Sequence, residues 1–294
     1  MIYDLAHVTR ALSSLVLAFI AALGVSTAAQ QPGRGGRGAP PPQTPQQQAP
    51  VDLAGWWVSV VTEDWRWRMV TPKKGDYASM PVNDEGRKVA DAWDPAKDER
   101  EGNACKAYGA AAIMRVPTRL HITWQDDSTL KIDADAGTQT RILRFGDTAI
   151  AAAEPSWQGR SKASWEFLGA VGGGRGGGGG GGGFGGGGGG FNAGPGGGGA
   201  AANAPPPGPR YGSLKVVTDK LKPGYLRKNG VPYTENAVVT EHFDRQTEKN
   251  GDVWFTVTAI VEDSKYLNGP YITSSGFKQE RDGSKWHATP CTAQ

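Results

Sequence analysis

The sequence predicts an all-β domain, built as an antiparallel barrel or sandwich, that contains one short helix. Polar and apolar residues alternate in several short segments, as they do in strands with one face in a core. Turn residues separate these segments at intervals of about 8–12 residues, which is typical of an antiparallel meander. Strands and helices do not alternate along the chain, which disfavours the Rossmann and α/β-hydrolase folds.

The first predicted strands are residues 55–62 and 65–70. In the second of these, alternation would place Trp65 and Trp67 on one face of the strand and Arg66 and Arg68 on the other. Both predicted strands precede the helix in the chain. The two tryptophans are therefore expected to lie on one face of a strand in the barrel.

The predicted helix begins after Asn83, whose side chain can cap it, and Asp84 and Glu85 suit the positive N-terminal end of its dipole. It is expected to end at Asp94-Pro95, because the residue before a proline disfavours helical backbone.

A three-stranded meander follows the helix. Residues 118–124 alternate so that Leu120, Ile122 and Trp124 share one face. A turn leads to a second strand around Ile132, and a turn at Gly137 leads to residues 138–145.

The second half of the domain is predicted to contain two hairpins and a last strand at residues 271–278. Residues 238–245 pair with 253–261 through Asn250-Gly251, a dipeptide that favours the positive φ angles of hairpin turns. The segment that ends at Trp165-Glu166 is expected to pair with a return strand at residues 213–218.

A glycine-rich insertion separates the two strands of that earlier hairpin. Of the 44 glycines in the chain, 22 fall within residues 172–199. Such composition cannot bury enough apolar surface to offset chain entropy, so residues 169–210 are predicted to be a disordered insertion in a single domain formed by residues 51–168 and 211–294.

The N-terminus predicts export. A basic residue, Arg10, precedes an uncharged apolar stretch at residues 11–25 and small residues that suit cleavage, so residues 1–29 are interpreted as a signal peptide. The stretch is short for a bilayer span, and no membrane span is expected in the mature protein. Residues 30–50, rich in Pro, Gln and Gly, are predicted to be a disordered tether, and the protein is placed in the periplasm or outside the cell.

The charge distribution argues against nucleic acid as a partner. The chain carries a formal net charge of +3, but Arg34, Arg37, Arg175 and Arg210 lie in the two low-complexity segments, which hold no acidic residue. The rest is close to neutral, whereas a nucleic-acid-binding domain needs a basic patch on its folded surface.

Cys105 and Cys291 are the only two cysteines. Because an exported chain meets oxidising conditions, they are predicted to form a disulfide, with two unpaired thiols as the alternative. No His or Cys spacing of a metal site occurs, and neither a metal nor a cofactor is expected.

Two resemblances refine the fold. Gly55-Trp56-Trp57 is similar to the G-x-W motif of lipocalins and other calycins, which implies an antiparallel calycin-like β-barrel with a tryptophan closing one end of the core. Most of residues 51–280 resembles a family of uncharacterised β-rich secreted proteins of acidobacterial type, through segments such as residues 83–87, 157–161, 230–235 and 241–245. That family continues from Trp-Glu directly into a tight turn, where this chain has the insertion. No catalytic residues carry over from it.

The sequence predicts that the barrel binds a small apolar or aromatic molecule. Aromatic side chains at a barrel mouth can stack on such a ligand, although any one of them can equally fill the core. The candidate ligand-binding residues are Trp56, Trp65, Trp67, Trp124, Arg119, His121, His242 and Glu241.

Two alternatives to ligand binding stay open. The barrel could house a calycin-type isomerase or lyase in which histidine and carboxylate, for instance His121 and Glu241, meet across strands as an acid/base pair. The glycine- and proline-rich tracts could instead mark an envelope or extracellular protein with a structural or interaction role. The oligomeric state cannot be inferred from the sequence.

Overall fold

The computed structural model describes residues 42–146, 154–168 and 211–293. The predicted signal peptide, residues 30–41 of the predicted tether and the insertion at residues 169–210 lie outside the described residues. The strands are β1 (Gly55–Val60), β2 (Arg119–Asp126), β3 (Thr129–Ala134), β4 (Gln139–Phe145), β5 (Arg160–Leu168), β6 (Tyr211–Asp219), β7 (Gly224–Tyr225), β8 (Pro232–Tyr233), β9 (Val238–Thr247), β10 (Val253–Glu262) and β11 (Tyr271–Glu280).

Nine of these strands close into a barrel in the order β1-β11-β10-β9-β6-β5-β4-β3-β2, and β7 and β8 form a separate small sheet. The prediction of a β-barrel is confirmed. All neighbouring strands are antiparallel except β4 and β5, which are parallel. The chain therefore crosses from one end of the barrel to the other between these two strands, a step that the antiparallel prediction did not include.

Both predicted hairpins are present. In the β9–β10 hairpin Val257 lies opposite Phe243, and Gly251 in its turn has a φ of 88°. In the β5–β6 pair the register runs from Arg160 opposite Asp219 to Leu168 opposite Tyr211. The insertion therefore joins two residues that are already paired across the sheet.

The described residues contain more helix than the sequence predicted. The helices are α1 (Pro45–Gln48), α2 (Trp65–Arg68), α3 (Asp84–Asp91) and α4 (Pro95–Arg100), with 3-10 turns at Ala104–Tyr108, Ile113–Arg115 and Ala136–Thr138. Helix α3 is the predicted one, and the Asn83 side chain caps it by accepting from the amide of Gly86. The chain then begins α4 at Pro95, capped by Asp94.

The prediction of a strand at residues 65–70 was wrong. Trp65–Arg68 form helix α2, because tertiary contacts outweigh a four-residue alternation of Trp and Arg. The Arg68 side chain is buried, and its Nε donates to the carbonyl of Arg115 at 2.9 Å. The Trp67 indole donates to Asp76 at 3.3 Å.

The prediction of a disordered tether was wrong for its last residues. Thr44 caps α1 in a capping box. The carbonyl of Pro45 accepts from the Trp165 indole at 2.8 Å, and the amide of Gln46 donates to Asp127 at 3.0 Å. These bonds attach the segment to the end of the barrel that carries the β2–β3 turn.

The connections divide between two ends. The β2–β3 and β9–β10 turns and the attachment points of the insertion lie at one end, because strand direction alternates around the antiparallel pairs. Residues 61–118, 220–237 and 263–270 connect strands at the other end, which we call the cap end. A second apolar cluster, centred on Tyr233, Leu226 and Val261, packs among these cap-end connections.

The C-terminal segment returns along the outside of the barrel to the cap end. Trp286 packs edge-on against Trp56 on β1, and the Thr289 amide donates to the carbonyl of Asp135 at 2.9 Å. Cys291 then forms a disulfide with Cys105, across a sequence separation of 186 residues.

We predict that replacing residues 169–210 with Asn-Gly leaves the barrel folded. The new turn would join the paired residues Leu168 and Tyr211, and closure entropy falls by about 0.6 kcal/mol for each halving of a loop. Circular dichroism should show a cooperative melt at an equal or higher temperature. A non-cooperative melt would show that the insertion supports the fold.

We predict that the double substitution Cys105→Ser, Cys291→Ser lowers the free energy of unfolding by about 2–5 kcal/mol, because the bridge closes a very long loop. Urea denaturation of both proteins measures the loss. Mass spectrometry of the freshly isolated wild-type protein should find no free thiol, and two alkylatable cysteines there would contradict the bridge.

Candidate functional site

The barrel interior is filled by side chains. Trp57 is fully buried and its indole donates to the carbonyl of Leu53 at 2.9 Å. Its ring lies 4.7 Å from that of Phe255, which in turn lies 4.7 Å from Phe277 and 5.9 Å from Phe243. These distances are those of directly packed aromatic rings, so the centre of the barrel is a core.

An ion pair is buried in the same interior. Glu241 on β9 accepts two hydrogen bonds from the Arg141 guanidinium on β4, at 2.9 and 2.5 Å. Their side chains are 0% and 2% exposed. Glu241 is thus fully engaged as a structural partner of Arg141.

His121 lies on the outer face of β2. Its ring stacks on Trp56 with centroids 3.7 Å apart and an interplanar angle of 3°, and Trp286 covers the other part of Trp56. Burial lowers the pKa of His121 below its ordinary value, although the Asp133 carboxylate opposes the shift. Trp56 therefore contacts both His121 on β2 and the C-terminal segment through Trp286.

The predicted acid/base pair of His121 and Glu241 is not formed, because one side chain points outward and the other inward. His242, next to Glu241 on β9, also points outward, and its Nδ1 lies 2.9 Å from Oε2 of Glu166. Lys215 contacts the same carboxylate at 3.6 Å. An enzymatic site inside the barrel that combines these histidines with Glu241 is excluded by their opposite orientation.

Trp124 lies at the end of the barrel that α1 contacts. Its ring packs 5.6 Å from Phe145 and 6.4 Å from Trp165, whose indole is bonded to α1. The cluster closes this end of the core.

The remaining predicted residues are at the cap end. Arg119 pairs with Glu280 at 3.0 Å beside β1, and Trp65 is 63% exposed on α2. Trp67, which follows Trp65 by two residues on α2, lines a cavity. The predicted ligand-binding residues are thus spread over the interior, the outer face and both ends, and only Trp67 belongs to the cavity described next.

The cavity is a cleft of about 320 Å³ at the cap end. We call it the arginine cleft. Most of its lining comes from three segments of the chain: residues 67–72, six residues between 107 and 117, and residues 226–228. This volume is within the range of small-molecule sites.

Among the described residues, four cations and no acidic side chain line the arginine cleft: Arg68, Arg115, Arg227 and Lys228. Two of these cations have carboxylate partners that do not line the cleft: Arg68 pairs with Glu63, and Arg115 Nη2 pairs with Asp64 at 2.8 Å. Burial lowers the pKa of Arg68, with Glu63 opposing the shift and the neighbouring charge of Arg115 adding to it.

Arg227 and Lys228 have no carboxylate partner in the described part of the chain. Arg227 Nη1 donates to the carbonyl of Ala78 at 2.9 Å, and its guanidinium lies over the Trp67 ring, 5.2 Å from the centroid. Lys228 Nζ lies 3.0 Å from the hydroxyl of Tyr108. Burial raises the pKa of that hydroxyl, but hydrogen bonds from Thr292 and Lys228 outweigh it, and the pKa is lowered overall.

The sequence did not reveal these residues because they come from distant segments. Arg68 and Arg115 are 47 residues apart, and Arg227 lies in a different connection. None forms a local motif. The run of tryptophans and arginines at residues 65–68 was the one usable signal. Strand alternation placed Arg68 on the face opposite Trp67, whereas in the structure both residues line the cleft.

We predict that Glu241→Gln lowers the free energy of unfolding by about 3–5 kcal/mol, because it leaves the Arg141 charge buried without its counter-ion. The double variant Arg141→Met, Glu241→Met should recover most of this loss, since it removes both charges. Urea denaturation of the three proteins measures the difference. Equal stability of wild type and Glu241→Gln would contradict the buried pair.

No protein-family model, curated protein or solved structure matches this chain significantly. Within the described residues, no three His, Cys, Asp or Glu side chains gather as metal ligands, and no helix has the length and apolarity to cross a membrane. The arginine cleft is the candidate functional site in the described part of the chain.

Proposed function

We propose that this protein is an exported binding protein, which holds the apolar or aromatic part of a small molecule in the arginine cleft. The observation that carries the proposal is an exposed apolar rim. Trp65, Met69 and Val70 are 63%, 59% and 64% exposed and lie within six residues of one another, and Met69 and Val70 line the cleft. Exposed apolar residues concentrated beside a cavity are typical of binding sites.

The cleft also offers the mixed lining that small-molecule sites have. Trp67, Tyr108 and Leu226 supply apolar surface, and the cations supply a small number of fixed polar groups. Trp67 is held by its bond to Asp76 and by Arg227 over its ring, so it needs little ordering when a ligand packs there.

A site in the barrel interior lacks such support, because the aromatic rings there contact one another. A ligand inside would have to displace close-packed side chains such as Phe255, at a cost of several kcal/mol for the large ones.

Two observations support export. The apolar, uncharged segment at residues 11–25 has the composition of a signal peptide. The Cys105–Cys291 disulfide suits an oxidising compartment outside the cytoplasm.

We predict that Val70→Asn weakens binding of an aromatic probe by about tenfold, because it removes apolar contact at the cleft without changing the charge. The measurement is quenching of intrinsic tryptophan fluorescence by naphthalene-based probes. Ile272→Asn is the matched control, since Ile272 is similarly exposed, at 59%, and lies on β11 outside the cleft.

The control should bind the probe as the wild type does. If no naphthalene probe binds saturably, or if Val70→Asn and Ile272→Asn bind equally well, the cleft is not a site for an apolar or aromatic group.

A further inference from the structure

Three arginines that line the arginine cleft carry buried hydrogen-bond donors that have no acceptor among the described residues. They are Nη2 of Arg68, Nη1 of Arg115, and Nε and Nη2 of Arg227. The three side chains are more than nine-tenths buried, with 8%, 8% and 5% of their surface exposed. A buried charged donor without an acceptor raises the free energy of the folded protein. A ligand that accepts hydrogen bonds from several such donors removes this cost, which favours its binding.

The charges at the cleft do not balance within the part of the chain that the structure describes. Glu63 and Asp64 pair with Arg68 and Arg115, and neither carboxylate lines the cleft. Arg227 has only a carbonyl acceptor, and Lys228 has the hydroxyls of Tyr108 and Thr292, both at 3.0 Å. Two positive charges are therefore left facing a cavity without an acidic lining residue.

The geometry of the donors favours an oxyanion. A guanidinium presents its N–H groups in a planar fork that matches the two oxygens of a carboxylate or phosphate. Arg227 is held in place by its stacking over Trp67 and its bond to Ala78, so its free edge is preorganised.

Resting on the proposed function, we infer that the ligand of the arginine cleft is an organic oxyanion: a small molecule whose carboxylate or phosphate group is bound by Arg68, Arg115, Arg227 and Lys228. Its apolar or aromatic part packs on Trp67 and against Met69 and Val70. The anion accepts from the buried guanidinium donors and neutralises the unpaired charges of Arg227 and Lys228.

The test uses probes of one shape and different charge: 2-naphthoate, 2-naphthyl phosphate and the neutral 2-naphthalenemethanol. Calorimetric titration should give an affinity about tenfold or more higher for at least one of the two anions than for the alcohol, because only the anion satisfies the charged donors. The preference should fall as salt is raised. Comparing the two anions identifies which oxyanion the cleft selects.

Variants assign the effect to the cleft. Arg227→Gln should abolish the preference for the anion, but this side chain is buried and its loss can unfold the cap end. Lys228 is only partly buried, so Lys228→Met tests the same charge in a protein that should melt close to the wild-type temperature. It should weaken anion binding by about fivefold to tenfold and leave the alcohol unaffected. Lys222→Met is the control, because Lys222 is exposed and does not line the cleft.

Three outcomes are distinguishable. Anion preference that Lys228→Met reduces and Lys222→Met preserves supports the inference. Equal binding of all three probes, or anion preference that Lys228→Met leaves intact, overturns the inference and leaves the proposed apolar site standing. Absence of binding by every probe overturns both.

Discussion

The ion pair between Arg141 and Glu241 constrains what the barrel can do. Both side chains are almost completely removed from water. Each charge needs the other as its counter-ion, because burying either one alone would cost several kcal/mol of desolvation free energy. On one side of it the rings of Trp57, Phe255 and Phe277 fill the barrel, and on the other the cap-end connections cover it. A barrel filled in this way holds its shape as a scaffold, and a ligand site has to be built on its outside.

The cap end supplies that site because it carries the long connections. Loops between strands tolerate irregular backbone and concentrate functional residues, while the sheet holds their ends in place. Here the disulfide ties the C-terminal segment to the 3-10 turn at Ala104–Tyr108, and Ala107 and Tyr108 of this turn line the cleft. The glycine-rich insertion attaches at Leu168 and Tyr211, at the opposite end.

The sequence predicted those parts of the fold that local pattern determines. The β9–β10 hairpin follows from two alternating strands and Asn250-Gly251, and the β5–β6 pair was recognisable across the insertion because both strands keep their alternation. Helix α2 was mistaken for a strand because the bonds that define it, from Arg68 to Arg115, come from residues distant in sequence. The arginine cleft was missed for the same reason. Near-neutral overall charge concealed a local excess of cations that only the fold assembles.

The central claim is that the ligand occupies the arginine cleft and leaves the barrel interior undisturbed. Two-dimensional NMR of the tryptophan indole N–H groups during titration with 2-naphthoate tests it. Trp67 lines the cleft and Trp57 lies at the centre of the core, so their signals, assigned with Trp67→Phe and Trp57→Phe variants, report on the two locations separately. The account predicts a saturable shift of the Trp67 signal and an unchanged Trp57 signal. A shift of Trp57 with Trp67 unchanged would place the ligand inside the barrel and contradict it.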